Sequence, residues 1–103
     1  MYVSRLLFHA LPGKTSDLEA ALHALQSMVT AAGGKRPRVL RTHFASLGAP
    51  DIVFEQEVDD LAELESEIHL VTANDEFQGW SHSVSDLLAE SPKREVYQLT
   101  AED

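Results

Sequence analysis

Hydrophobic periodicity divides this chain into strand, helix, strand, strand, helix and strand, an order that few topologies accommodate. The first strand is predicted from about Tyr2 to Leu11, where Pro12-Gly13 stops it. Ser16 and Glu19 have capping-box spacing, and Leu18, Leu22, Leu25 and Val29, with Ala21 and Met28, form one helical stripe that Gly33-Gly34 ends. Arg38 to Leu47 and Ile52 to Val58 return to a period of two around the turn residues Gly48 to Asp51, which predicts a hairpin. Asp59 or Asp60 caps the next helix, with Leu61, Leu64, Ile68 and Val71 as its stripe. Asn74 breaks it from a second stretch carrying Phe77, Trp80, Val84, Leu87 and Leu88. Pro92 closes the helical region, Glu95 to Thr100 reads as the last strand, and Ala-Glu-Asp makes a polar end. The expected architecture is α+β: a ferredoxin-like βαββαβ split-βαβ sandwich with a four-stranded antiparallel sheet and helices on one face.

The 103 residues fit one domain, 1–103, with a single core. Seventeen acidic against eight basic side chains give a formal net charge of −9, which repels phosphate backbones and argues against nucleic acid as a partner. The basic cluster Lys35, Arg36 and Arg38 is short and follows two glycines, so it reads as a solvated loop, with an anion site as the alternative. Without cysteine there is no disulfide and no thiol chemistry. No leader pattern or membrane-spanning run is evident, and the expectation is a cytoplasmic protein with no membrane partner.

Sorting the strands by parity predicts two unlike faces. Leu6, Phe8, Leu40, Phe44, Ile52, Phe54, Val58, Tyr97 and Leu99 form the face expected beneath the helices, with Thr42 and Gln56 as polar exceptions. The other face receives Arg5, Leu7, His9, Val39, Arg41, His43, Val53, Glu55, Glu57, Val96 and Gln98. A hairpin register in which paired numbers sum to 98 opposes Phe44 to Phe54, Leu40 to Val58, His43 to Glu55 and Arg41 to Glu57. With the first and third strands as neighbours, Arg5 and His9 approach Glu55 and Glu57. The plain interpretation of this cluster is a set of compensating ion pairs, each worth about 0 to 1 kcal/mol if solvated, in a surface packed on another subunit. The functional interpretation is a polar site in which His9 or His43 exchanges protons and Arg5 or Arg41 holds an anionic group.

The βαββαβ order, the Pro12-Gly13 turn before a capped helix, and Glu76-Phe77-Gln78-Gly79-Trp80 running into Leu87-Leu88 and Glu95-Val96-Tyr97 carry a family resemblance. The chain resembles the dimeric α+β barrel superfamily, which includes antibiotic-biosynthesis-type monooxygenases, stress-responsive barrel proteins and NIPSNAP-like proteins. The resemblance covers nearly the whole chain and implies a homodimer that packs two sheets face to face, which would cover Leu7, Val39, Val53 and Val96. It also implies an apolar pocket between sheet and helices, where Phe77 and Trp80 are either core anchors or pocket walls. The asparagine, tryptophan and histidine of haem-degrading members do not carry over, because Asn74 lies between helices and Trp80 lies on the helical stripe. His23, His69 and His82 fall off the apolar stripes and read as solvated; Glu65 and His69 share metal spacing but lack further ligands, so no metal is expected.

The resulting expectation is a homodimer that binds a small organic molecule, with Arg5, Arg41, Glu55, Glu57, Phe77 and Trp80 as candidate ligand-binding residues. The enzymatic alternative is a cofactor-independent monooxygenase of phenolic or quinol-like substrates, with His9 or His43 as the base. A third reading is a non-catalytic assembly protein.

Overall fold

Alternation of apolar and polar residues over Tyr2–Phe8 and Ile52–Val58 produces two strands, β1 and β3, that lie side by side in the computed structural model, which describes residues 1–100. The polar Ala-Glu-Asp end lies outside the described residues. Strands β2 (Arg38–Arg41) and β4 (Lys93–Gln98) complete an antiparallel sheet of order β2-β3-β1-β4. Helices α1 (Thr15–Ala31), α2 (Leu61–Thr72) and α3 (Asp75–Val84), followed by a 3₁₀ turn at Ser85–Leu87, cover one face. This is the predicted ferredoxin-like α+β fold.

The α1 stripe Leu18, Leu22, Leu25 and Val29 is buried and meets Phe8, Ile52 and Phe54 from the central strands. Each such side chain contributes about 1.5 to 3 kcal/mol by leaving water, so the stripe anchors the helix layer. Gly33, at φ 95°, supplies the left-handed residue that ends α1. The N-terminus of α1 differs from expectation: it begins at Thr15 after Lys14, with no side-chain cap from Ser16. Asp60 does cap α2 by accepting from the Glu63 amide at 2.8 Å, and Asn74 caps α3 by accepting from the Glu76 amide at 2.8 Å.

Both edge strands depart from the predicted parity. Strand β2 ends at Arg41, and its register pairs Arg38 with Glu55, Val39 with Phe54, Leu40 with Val53 and Arg41 with Ile52. Thus Val39 faces the helices, Leu40 is 40% exposed on the opposite face, and the 98-sum register does not form. Phe44 belongs to no strand and is 91% exposed in the loop that holds His43. That loop closes where the Thr42 amide donates to the Asp51 carbonyl at 3.0 Å. In β4, Leu6 opposes Arg94, Ser4 opposes Val96 and Val3 opposes Tyr97. Arg94 and Val96 therefore share the helix-covered side, whereas Tyr97 lies on the open side with Arg5, whose guanidinium sits 5.2 Å from its ring centroid.

The reason is the same in both strands. Val39-Leu40 and Val96-Tyr97 are adjacent apolar pairs, so alternation does not say which member turns inward. In β2 the observed parity also brings Arg38 to the buried Glu55 carboxylate, which would otherwise face a single arginine.

Candidate functional site

The helix layer does not close completely on the sheet. A cavity of about 590 Å³ remains, floored by Leu6, Phe8, Phe54 and Gln56 of the central strands. Leu25 and Val29 of α1, Ile68 and Val71 of α2, and Phe77, Trp80 and Val84 of α3 form its walls. Leu88, Glu90, Pro92 and Arg94 line the side towards β4. That side is held by the chain itself: the Leu11 amide donates to the Leu87 carbonyl at 2.9 Å, and the Ala89 amide donates to the His9 carbonyl at 2.8 Å.

Phe77 and Trp80 stack with centroids 5.5 Å apart, and the Trp80 indole N–H donates to the Ala21 carbonyl at 2.6 Å. This bond satisfies the buried edge of Trp80 and fixes α3 against α1, leaving the ring as a rigid wall. Both readings of Trp80 thus apply to one side chain, which packs on the core and lines the cavity.

One end of the cavity is polar. Gln56 Nε2 donates to Glu67 Oε2 at 2.8 Å, whereas Glu67 Oε1 is buried with no hydrogen-bond partner. This oxygen lies against Gly34, where an added Cβ would come within 2.1 Å of it. Burial pushes the Glu67 carboxyl above its ordinary value; Glu63 adds to this, while the Gln56 bond, Arg94 and Lys35 oppose it. Arg94, on the exposed edge strand β4, donates to Ser4 Oγ at 2.5 Å; partial burial pulls its guanidinium below its ordinary value, while the charge of Glu67 opposes this. Among the described residues no carboxylate forms an ion pair with Arg94.

The opposite face of the sheet carries a separate cluster. Arg5 Nε donates to Glu55 Oε1 at 2.7 Å and Arg38 Nε donates to Glu55 Oε2 at 2.6 Å, so one carboxylate holds two guanidinium groups. Burial pushes the Glu55 carboxyl up, but hydrogen bonds and charge from Arg5 and Arg38 outweigh it and leave it below its ordinary value.

The residues singled out from sequence therefore fall in separate places. Phe77 and Trp80 line the cavity; Arg5 and Glu55 meet on the open face, where Glu57 opposes Val3. Arg41 opposes Ile52 instead, and its guanidinium reaches Glu19 of α1 at 3.4 Å. His9 pairs with Glu90 at 3.3 Å beside the cavity, whereas His43 contacts the Phe44 ring in an exposed loop. Arg38, read with Lys35 and Arg36 as a solvated basic loop, lies instead in β2 with its guanidinium on Glu55, because the strand starts at that residue; Glu67, Glu90 and Arg94 were not singled out. Glu67 had a legible signal, a carboxylate interrupting the stripe Leu64, Ile68 and Val71, and Gln56 had already stood out as a polar exception. Arg94 had none, since its inward turn depends on the register of β4.

No family model matches the chain, and no curated protein matches it in sequence. Solved structures do match its fold. A candidate antibiotic biosynthesis monooxygenase from Nitrosomonas europaea superposes with TM-score 0.71 at 18% identity, covering 98% of this chain and 100% of the other. An uncharacterised NIPSNAP domain protein from Burkholderia xenovorans gives 0.75 at 14% identity, covering 98% and 96%. A further candidate antibiotic biosynthesis monooxygenase, from Deinococcus radiodurans, gives 0.67 at 16% identity, covering 100% and 96%. The chain thus has the ferredoxin-like fold seen in antibiotic-biosynthesis-monooxygenase-like and NIPSNAP-domain structures.

Proposed function

We propose that this chain binds a small organic molecule in the cavity between its helices and sheet and works as a homodimer. The carrying observation is the cavity, whose volume falls within the roughly 300 to 1,000 Å³ usual for small-molecule sites and whose lining is mostly apolar, with polar groups towards its ends. The dimer draws support from the open face, where Leu40 and Tyr97 are exposed beside Arg5, Arg38, Glu57 and Glu95. That mixture of apolar area with both charge signs is self-complementary for a second copy. Native mass spectrometry tests both parts: a dimer with retained mass is expected, and Ser81→Trp, which places bulk in the cavity wall, should release that mass. Retention unchanged by Ser81→Trp would place the ligand elsewhere, and a monomer would remove the partner surface.

A second reading is a cofactor-independent monooxygenase, favoured by the names of the structural neighbours and by the contact of His9, which itself does not line the cavity, with the cavity-lining Glu90. A phenol and dioxygen would yield a quinone and water, with His9 accepting the phenolic proton and the substrate supplying the electrons. Oxygen uptake with phenolic substrates is then expected, lost in His9→Ala and intact in His43→Ala. Turnover that survives His9→Ala in folded protein would rule out His9 as the base.

A further inference from the structure

The polar groups of the cavity differ in how much bonding capacity they leave unused. Glu67 Oε2 is occupied by Gln56, and Oε1 is sealed against Gly34, so this carboxyl has no readily available oxygen for a guest. Glu90 meets His9 through Oε1 and is otherwise open to solvent, and as an acceptor it offers a guest anion nothing. Arg94 is the contrast: its guanidinium carries five N–H donors, of which the structure uses one, on Ser4 Oγ. It lines the cavity from β4, and no carboxylate of the described residues pairs with it. By comparison, Arg5 and Arg38 share Glu55, and Arg41 reaches Glu19.

Building on the cavity reading above, we infer that Arg94 is the anchor for the carboxylate of an otherwise apolar ligand, whose body lies against Phe77, Trp80 and Val71. A planar two-oxygen head matches the guanidinium fork and accepts two parallel hydrogen bonds from it. One negative charge also suits the site better than two. The other charged side chains lining the cavity are Glu67 and Glu90, which would repel a dianionic phosphate more than a monoanion. The aromatic pair supplies a flat apolar wall, so the fitting class is an aromatic or alicyclic monocarboxylic acid.

Isothermal titration with 2-naphthoate and methyl 2-naphthoate on the full chain tests this, because the two differ chiefly in the charged head. The acid should bind at least about tenfold more tightly than the ester at neutral pH, as expected for replacing a neutral contact by a charge-assisted pair. Arg94→Met should erase that preference by weakening the acid while leaving the ester unchanged, and Arg94→Lys should keep part of it. Equal affinities in the wild-type protein, which require no variant to fold, would overturn the assignment of Arg94. So would a preference that survives Arg94→Met. If both compounds bind equally and both are lost in Ser81→Trp, the cavity reading stands and the carboxylate inference fails. If neither binds, or if Ser81→Trp affects neither, both fail together.

Discussion

Glu55 and Glu67 are two glutamates buried to similar degrees, 3% and 7% exposed, on opposite sides of the same protein, and their surroundings drive them in opposite directions. Glu55, on the open face of the sheet, has a guanidinium on each oxygen and is held ionised. Glu67, facing inward from α2, has one amide donor and an orphaned oxygen, and burial raises its carboxyl. The difference shows that burial alone does not set the state of a carboxyl; the number and charge of its donors decide whether desolvation is offset. It also separates a structural ion cluster from the polar end of a cavity.

The largest test of this contrast is Glu55→Ala, which leaves Arg5 and Arg38 facing each other without their shared anion. A loss of about 2 to 3 kcal/mol is expected in urea unfolding, below the full cost of breaking a buried pair because Glu55 is buried but Arg5 and Arg38 are about half-exposed and stay hydrated. A loss comparable to that of a solvent-exposed pair, below about 1 kcal/mol, would contradict the structural role given to this cluster.

Gly34→Ala probes the other carboxyl by crowding it. The new Cβ would meet Glu67 Oε1 at 2.1 Å and Val29 Cγ1 at 2.4 Å, so a cost of about 2 kcal/mol is expected. In a Glu67→Ala background the cost should fall by roughly 1 kcal/mol without vanishing, because the clash with Val29 persists. Strict additivity in this double-mutant cycle would show that the carboxyl does not rest against Gly34.

The smallest effect is the most diagnostic for protonation. A carboxyl raised on folding contributes most stability below its unfolded value, and that contribution is lost as pH rises through its folded value. Glu67→Gln removes this loss, so the variant should melt about 4 °C above wild type at pH 8, with the gap narrowing towards pH 4. Glu55 has the reverse sign: its contribution is present above its unfolded value and fades as pH falls through the depressed folded one. A constant gap between Glu67→Gln and wild type from pH 4 to 8 would show that Glu67 does not titrate differently in the fold.

The central strands and helices were legible from pattern because each has a strong, one-sided stripe. In β3, Ile52, Phe54 and Val58 turn inward as alternation requires, and Leu18, Leu22, Leu25 and Val29 bury together on α1. Phe77 and Trp80 were legible as one helical stripe for the same reason, whereas a wall role for them came only from the family resemblance. Gln56 and Glu67 each left a mark in the local pattern, but their meeting with Arg94 did not, since β4 comes far along the chain and its register decides where Arg94 turns.

Element order, the helix-covered face of the central strands, a cap at Asp59 or Asp60 and the break at Asn74 follow from local pattern, because period and capping act over a few residues; the structure adds that Asp60 is the cap and that Asn74 caps α3. The parity of β2 and β4 does not follow from local pattern. Each edge strand offers two adjacent apolar residues and has only one neighbouring strand, so its local sequence is compatible with either face turning inward. The choice is made where long-range pairings meet: Arg38 on Glu55 at one edge, Arg94 on Ser4 at the other. That second pairing places a guanidinium in the cavity, and the chemistry available there exists only once the sheet is complete.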